Sequence, residues 1–303
     1  MAMRVAYHLL DVFTERPFAG NSLAVVTEAD ALTTAQMQAI AREFNLSETA
    51  FVVAPRDPTN TAALRIFTPA MELPFAGHPT LGAAALIALL RAPEMIGGQP
   101  LRLVLEEAVG AVVCEVARVH GALRAQFWAP QRPELGAPVA DRVAIAAALG
   151  IDSAAIGFDD HEPVLASMGL PFAFVPVNSL SVLNQIVLDT AHFAAAFPME
   201  RPAAFAYTRE TTDPAHHVQA RVFVSGWGVH EDPATGSAAC AFAAVAAHFE
   251  RPEDGEHTII IEQGFAIGRP SHIALTMRIA GGELVDTSVG GGCVRIGEGK
   301  LTF

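Results

Sequence analysis

The chain has 303 residues, 51% hydrophobic and 17% charged, so it can bury the cores of two domains of ordinary size. A net charge of −13 with a single lysine, Lys300, argues against a nucleic-acid partner, which would need a basic face. No signal-peptide pattern opens the chain, the longest apolar run (Leu81–Leu90) is too short for a bilayer, and the three scattered cysteines suit a reducing cytoplasm.

The first part of the chain predicts short strands around one buried helix. A helix capped by Thr33 or Thr34 runs to about Phe44, and Asn45 is a suitable left-handed stop. A second helix, apolar on all sides and therefore buried, covers the Ala/Leu run that ends at Leu90. Strands are predicted at Arg4–Thr14, Leu23–Val26, Ala50–Ala54, Arg65–Thr68, Leu101–Glu106, Ala111–Val116 and Leu123–Trp128.

The proline-rich segment Pro130–Pro138 is the best candidate for a linker, and a second strand-rich part follows it. Helices are predicted at Asp141–Leu149 and Asp189–Phe197, and Gly290–Gly292 predicts a bend or bulge between the last two strands. The strands are predicted at Val164–Met168, Phe172–Val177, Val182–Leu183, Thr258–Ile261, Ile273–Ile279, Leu284–Val289 and Val294–Ile296. Strands that cluster around one helix per half fit neither a Rossmann nor a TIM pattern, and the class is α+β.

The chain repeats itself. Arg65–Leu90 and Arg221–Phe249 each contain an arginine-led strand, a loop with proline and glycine, and an Ala-rich apolar helix. In this match Pro79 corresponds to Pro233, Gly82 to Gly236 and His78 to Asp232. Other segments recur at nearly the same spacing, which indicates an internal duplication. The predicted domains are residues 1–129 and 130–303, with the strands from about 290 able to pack on the first half, and both helix starts are expected to face a shared cleft.

Glu48 is the first candidate for chemistry. It lies between a helix end and a strand, and Phe51, Val52 and Val53 follow it closely. A carboxyl group held against apolar walls can act as a general base and then as a general acid. The alternative is a solvated glutamate in a turn, which is the more frequent environment of this residue.

His78 and Asp232 precede the prolines at the two helix starts. Pro at the first helical position is favoured there, and each start offers backbone N–H groups and a positive dipole end to an anion. His78 could bind substrate or shuttle a proton, or it could only cap or pack. Asp232 before Pro233 is a strong capping pattern by itself. Two polar groups at two helix starts would also form a clamp for a small polar substrate.

Other positions are weaker candidates. Gly77, Gly236 and Ser237 would allow close backbone approach and supply a donor, or would only permit tight helix entry. Asn21 could be a turn residue. Motifs for dinucleotides, phosphates or zinc proteases are absent, and His216, His217 and His230 lack nearby ligands at metal spacing, so no metal or cofactor is predicted.

Five segments resemble the phenazine-biosynthesis isomerase family, PhzF-like proteins with the fold of diaminopimelate epimerase. The segments span nearly the whole chain in the family's order. They are DVFTERPFAGNSLAVV (Asp11–Val26), AREFNLSETAFV (Ala41–Val52), RIFTPAMELPFAGHPTLGAA (Arg65–Ala84), EDPATGSAA (Glu231–Ala239) and IEQGFAIGRPS (Ile261–Ser271). The resemblance implies two pseudo-symmetric halves, each a strand barrel wrapped around a central helix.

The same resemblance implies roles for the candidates. Glu48 stands where the family has its catalytic acid/base, and His78 and Asp232 stand where it binds and polarises substrate. Gly77, Gly236 and Ser237 fall at the substrate-contacting helix starts. The implied reaction is a proton shift on a small carboxylate-bearing ring such as trans-2,3-dihydro-3-hydroxyanthranilate, without a cofactor, in a cytoplasmic homodimer.

Two departures and two alternatives accompany this interpretation. Ser22 replaces the proline expected after Gly-Asn. Neither helix start carries the cysteine that the related epimerases use, which weighs against a two-cysteine epimerase. An amino-acid racemase or epimerase that uses Glu48 with a second acid is one alternative, and a non-catalytic binding protein on the same fold is the other.

Overall fold

The computed structural model describes residues 4–224 and 230–303, so residues 225–229 of the second repeat lie outside the described residues. The chain forms two compact units. The first contains the residues up to Pro130 together with Gly290–Phe303, and the second contains Gln131–Val289. The division falls inside the last strand.

The described residues form 17 strands and six α-helices. The helices are α1 (Thr34–Phe44), α2 (Gly77–Arg91), α3 (Arg142–Leu149), α4 (Leu180–Gln185), α5 (Thr190–Ala196) and α6 (Gly236–Glu250). The strands are β1 (Arg4–Val12), β2 (Asn21–Val26), β3 (Glu48–Val53), β4 (Ala62–Phe67), β5 (Glu72–Leu73), β6 (Leu101–Glu107), β7 (Gly110–Val119), β8 (Ala122–Trp128), β9 (Glu134–Pro138), β10 (Val164–Met168), β11 (Leu170–Pro176), β12 (Ala204–Thr208), β13 (Val218–Phe223), β14 (Glu231–Asp232), β15 (Gly255–Gln263), β16 (Ser271–Ala280) and β17 (Glu283–Thr302).

In the first unit the strands close into a ring around α2. β1 pairs with β2, β2 with β3, β3 with β4, β4 with β6, β6 with β7 and β7 with β8. β17 pairs with both β8 and β1 and so completes the ring. Gly77–Ala88 of α2 are buried, and the helix packs against β1, β2, β3, β6, β7 and β8. Its alanines and glycines let the strands approach closely, which makes an all-round apolar helix stable here.

The second unit likewise places strands around one long helix, α6. The pairing runs from β9 through β10, β11, β12 and β13 to β15 and β16, with β11–β12 and β13–β15 parallel. α6 packs against β9, β10, β11 and β16. Phe242 of this helix lies 5.5 Å from Phe205 and 5.9 Å from Phe174, measured between ring centroids. Aromatic side chains bury large apolar areas, so these rings contribute strongly to the core of the unit.

The prediction for the first surface helix is confirmed at both ends. α1 begins at Thr34 behind Thr33, whose hydroxyl accepts the backbone N–H of Gln36, while the Gln36 side chain accepts the backbone N–H of Thr33. This reciprocal pair is a capping box. Asn45 ends the helix with a left-handed backbone at φ 51°.

Two predictions for the second half are wrong, and a third is correct only in part. The boundary between the units falls after Pro130, inside the proposed linker, but Glu134–Pro138 of that segment form the strand β9. The proposed strand Val182–Leu183 lies in α4, which Ser179 caps through the N–H of Val182. β17 runs unbroken through Gly290–Gly292. A Cβ atom on Gly292 would lie 2.4 Å from the carbonyl oxygen of Thr14, so glycine serves close backbone approach in this strand and not a bend.

Among the helices of the described ranges, none combines the length and the apolar character that crossing a membrane requires.

Candidate functional site

The start of α2 forms the centre of the candidate site in the first unit. Ala76 is the N-cap in an extended conformation, and its carbonyl accepts both the backbone N–H of Thr80, at 3.2 Å, and the Thr80 hydroxyl, at 2.7 Å. Gly77 and His78 are the first two helical residues. Pro79 is therefore the third helical residue and not the first, as the sequence predicted, but a proline without an N–H is tolerated throughout the first turn.

Three elements bring polar side chains together at this helix start. His78 projects from α2, Asn21 is the first residue of β2 and Glu48 is the first residue of β3. β2 and β3 are parallel neighbours with Leu23 opposite Glu48. His78 Nδ1 lies 3.3 Å from Asn21 Nδ2 and 3.5 Å from Glu48 Oε2. Residues far apart in the chain thus meet at one imidazole.

The His78 imidazole is neutral, and we assign its tautomer from its contact with the Asn21 side-chain amide. Burial lowers the pKa of His78 to about 3, because a cation would lose its hydration there. The Asn21 amide nitrogen can only donate, so His78 Nδ1 accepts and the ring proton resides on Nε2. Nε2 is buried and has no hydrogen-bond partner among residues 4–224 and 230–303. It is a donor available to a ligand oxygen.

Glu48 is not a solvated turn residue. Its side chain is 13% exposed, and the next residues of β3, from Thr49 to Val52, are buried. Because His78 is neutral, the 3.5 Å approach between the two side chains is a polar contact and not an ion pair. A carboxyl group with little access to water, next to a neutral ring, is suited to accept and return a proton.

Asp232 does not cap a helix, contrary to the capping pattern in the sequence. It belongs to β14, where it pairs with Val222 of β13, and α6 begins at Gly236 behind the N-cap Thr235. Asp232 Oδ2 accepts the Thr235 hydroxyl at 2.7 Å, and the main-chain oxygen of Asp232 accepts Gln263 Nε2 at 2.7 Å. The extended backbone that the β13 pairing requires keeps Asp232 outside the helix.

The correspondence between the two helix starts is also different from the predicted one. β5 and β14 occupy equivalent places: Phe67 pairs with Glu72, and Phe223 pairs with Glu231. Counted from these strands, both helices begin at the same distance, so Leu73 corresponds to Asp232, Gly77 to Gly236 and His78 to Ser237. The aligned segments LPFAGH (Leu73–His78) and DPATGS (Asp232–Ser237) show this correspondence in the sequence. The predicted match of Pro79 with Pro233 displaced that alignment.

The seven candidate residues therefore divide between the units. The first unit contains Asn21, Glu48, Gly77 and His78. The second contains Asp232, Gly236 and Ser237, with Gly236 and Ser237 opening α6.

A group of possible metal ligands in the second unit was missed. His216, Glu262 and His272 place ligand atoms within 4.8 Å of one another, although His216 was predicted to lack a nearby carboxylate. His216 Nδ1 lies 2.8 Å from Glu262 Oε1, and Glu262 also accepts the backbone N–H groups of Thr212 and Asp213. The antiparallel pairing of β15 with β16 places Glu262 opposite His272. The spacing of these residues along the chain did not reveal that pairing.

Comparisons with known proteins agree with this fold and these motifs. A family model described as "Phenazine biosynthesis-like protein" matches residues 10–299. An uncharacterised isomerase of Mesorhizobium japonicum is 44% identical over 97% of this chain and 98% of its own length. The trans-2,3-dihydro-3-hydroxyanthranilate isomerase of Pseudomonas chlororaphis is 33% identical over 98% of this chain and 99% of its own.

The solved structure of a PhzF-family phenazine biosynthesis protein from Bacillus anthracis superposes with a TM-score of 0.88 at 24% identity, covering 99% of both chains. Two strand-rich units, each with a central helix, define a fold of the diaminopimelate-epimerase type. The chain belongs to the PhzF-like, phenazine biosynthesis-like family. It is an isomerase, as predicted, and the predicted family and fold class are confirmed.

Proposed function

We propose that this protein catalyses a cofactor-independent proton shift on a small carboxylate-bearing substrate, with Glu48 as the acid/base. The observation that carries the proposal is the buried contact of Glu48 with a neutral His78 whose Nε2–H is available as a donor. A relative that is 33% identical acts on trans-2,3-dihydro-3-hydroxyanthranilate, so this compound is the first substrate to test.

The proposed reaction moves one proton and one double bond. The Glu48 carboxylate removes a proton from a substrate carbon and returns it to another carbon of the conjugated system, so atoms and electrons balance without a redox partner. The His78 Nε2–H donates to a substrate oxygen on which negative charge develops. The N–H groups at the start of α2, beginning with Gly77, favour a carboxylate, since a helix start carries partial positive charge.

Asp232, Gly236 and Ser237 are proposed to bind the substrate because they match the family's second motif. The start of α6 offers N–H groups of the same kind as α2, and Thr235 fixes the orientation of the Asp232 carboxylate. We also expect a cytoplasmic homodimer, which size-exclusion chromatography with light scattering would test.

The decisive experiment is proton exchange in heavy water followed by NMR. Wild type, Glu48→Gln and the exposed control Glu43→Gln are incubated with trans-2,3-dihydro-3-hydroxyanthranilate and a panel of cyclic and unsaturated amino acids. We expect deuterium at carbon with wild type and Glu43→Gln, and a loss of about 1,000-fold in Glu48→Gln, the usual scale of general acid–base catalysis.

The outcomes separate the alternatives. Equal exchange in wild type and Glu48→Gln would exclude Glu48 as the base. Deuterium at a single chiral carbon without movement of a double bond would indicate a racemase or epimerase. Ligand-induced thermal stabilisation without exchange would indicate a binding protein.

A further inference from the structure

Glu107 closes β6 directly beside the start of α2, and the proposed reaction does not use it. Its side chain is buried, and its Oε1 lies 2.6 Å from the Thr80 hydroxyl. The same hydroxyl lies 2.7 Å from the carbonyl oxygen of Ala76. One hydroxyl proton can be donated to only one of these two oxygens. The second short contact therefore requires a proton from Glu107, which makes this group a neutral carboxylic acid.

The second unit holds a neutral side chain at the equivalent position. Ala62 pairs with Leu105 in the first unit and Val218 pairs with Ile261 in the second, so Gln263 is the counterpart of Glu107. The Gln263 carboxamide accepts the backbone N–H of Thr235 at 3.1 Å and donates to the Thr235 hydroxyl at 3.0 Å. A carboxylic acid matches a carboxamide in shape and likewise offers both a donor and an acceptor.

We propose that Glu107 is a positioning residue: as a neutral acid it donates to Thr80, which then donates to Ala76 and so fixes the first turn of α2, from which His78 reaches Glu48. The inference rests on the proposed function for its effect on catalysis, but its effect on His78 is structural. Ionised Glu107 cannot donate. Thr80 must then turn its proton to the carboxylate, and the carbonyl of the helix N-cap loses that bond.

The surroundings of Glu107 favour its neutral form. Burial raises the pKa of Glu107 to about 8. The nearby thiol of Cys114 on β7 is buried as well, and its pKa is also raised, in part by Glu107. Glu107 is among the residues that line a cavity of about 360 Å³. The charged residues lining this cavity are Arg56, Arg65, Glu72 and Glu106.

Arg65, Glu72 and Glu106 have hydrogen-bond partners other than Glu107. Arg65 binds both oxygens of Glu72 at 2.7 Å, and Glu106 accepts N–H bonds from Arg56, Asp57 and Asn60. Glu107 Oε2 has no hydrogen-bond partner in the described part of the chain. The Thr80 hydroxyl is therefore the side-chain hydrogen-bond partner of the Glu107 carboxyl group.

The test is a pH titration of the His78 ring by ¹⁵N NMR between pH 6 and 9.5. In wild type we expect the His78 signals to move with a midpoint near pH 8, where Glu107 ionises. Glu107→Gln should abolish that movement while it keeps the chemical shifts of wild type at pH 6. Thr80→Val should displace the His78 signals at every pH, and Thr80→Ser should leave them unchanged. His78 signals that are independent of pH in wild type and of the Thr80 side chain would overturn the proposal.

Kinetics of the same variants give the catalytic consequence. We expect kcat of wild type to fall by about 10- to 100-fold above pH 8, because a catalytic group is then misplaced, while KM changes far less. Glu107→Gln should retain its kcat above pH 8. Parallel falls in wild type and Glu107→Gln would contradict the positioning role. If no substrate is turned over, the proposed function fails, but the NMR titration still decides the role of Glu107.

Discussion

Glu106 in the first unit and Glu262 in the second hold equivalent loops with equivalent hydrogen bonds. Glu106 accepts the backbone N–H groups of Arg56 and Asp57 and the side-chain amide of Asn60. Glu262 accepts the backbone N–H groups of Thr212 and Asp213 and the ring nitrogen of His216. Each partner in the second unit lies 156 residues after its counterpart. His216 thus fills the structural place of Asn60.

This equivalence predicts the effect of changes at His216. Glu262 is fully buried, so His216→Ala removes one of its donors and should lower the free energy of unfolding by about 1 to 2 kcal/mol. His216→Asn copies the first unit and should restore most of that loss. Urea unfolding at pH 7 measures both.

Asn60→Ala is the matched control in the first unit and should cost a similar or smaller amount, because Glu106 is less buried than Glu262. If His216→Asn is as unstable as His216→Ala, His216 does not stabilise the protein through its hydrogen bond to Glu262. The cluster of His216, Glu262 and His272 would then have a role other than holding this loop.

Local chemistry in the sequence was sufficient for some elements. Thr33 with Gln36, and Asn45 at the stop, define α1 because caps act within a few residues. Asp141 likewise caps α3 through the N–H of Ala144. The apolar run after Gly77 predicted a buried helix because an all-round apolar helix has no face for solvent.

Long-range pairing decided what the sequence could not. The sequence predicted that the glycines in β17 interrupt the strand. They instead permit close contact with the backbone at Thr14, and this contact is visible only in the folded structure. β9 is a strand because it pairs with β10, although it ends in Pro138 and lies in a proline-rich segment. The meeting of Asn21, Glu48 and His78 depends on the parallel pairing of β2 with β3, so spacing in the chain could not predict it, whereas resemblance to a family could nominate the residues.

The tautomer of His78 gives a sharp prediction at Asn21. Asn21→Asp replaces the donor to Nδ1 by an acceptor, which favours a proton on Nδ1 and raises the pKa of His78 above its wild-type value. The Nε2 donor is then lost in the neutral ring, and kcat should fall by about 100-fold or more. ¹⁵N NMR of His78 and steady-state rates test the two parts.

Asn21→Ala supplies the control, since it removes the donor without adding a charge and should reduce kcat less. In wild type the His78 ring should remain neutral down to pH 5, because its pKa lies near 3. Protonation of wild-type His78 between pH 6 and 7 would contradict the assignment of a buried neutral imidazole.

Stability should depend on pH through Glu107. Its pKa in the folded protein, about 8, lies above the ordinary value of 4.5, so the folded state binds this proton more tightly than the unfolded chain. The contribution is complete below pH 4.5 and is lost as pH rises towards 8, by at most about 1.4 kcal/mol per pH unit. The free energy of unfolding of Glu107→Gln should not show this pH-dependent loss.

Urea unfolding of both proteins at pH 6 and pH 9 isolates the effect. The free energy of unfolding of wild type, relative to Glu107→Gln, should be lower at pH 9 than at pH 6 by about 2.7 kcal/mol, since the variant cancels the contributions of other groups. A difference that is the same at both pH values would mean that Glu107 does not ionise in this range.

In the second unit a relay of hydrogen bonds fixes Asp232. Gln263 Nε2 donates to Thr235 Oγ1 at 3.0 Å, and the Thr235 hydroxyl donates to Asp232 Oδ2 at 2.7 Å, with all three side chains buried. Because Gln263 already supplies a proton to this hydroxyl, the Thr235 proton must point to Asp232. The relay therefore sets the orientation of the Asp232 carboxylate.

Thr235→Val breaks the relay and leaves a buried amide and a buried carboxylate each short of one bond. We expect the free energy of unfolding to fall by about 1 to 3 kcal/mol and kcat/KM to fall as well, whereas Thr235→Ser keeps the hydroxyl and should resemble wild type.

Asp232→Asn, which keeps the shape but not the charge, should lower kcat/KM with a smaller change in stability. Thermal unfolding beside steady-state rates separates the two effects. If Asp232→Asn keeps full activity on a substrate that Glu48→Gln cannot turn over, Asp232 has no part in binding that substrate, and the relay serves only to hold the start of α6.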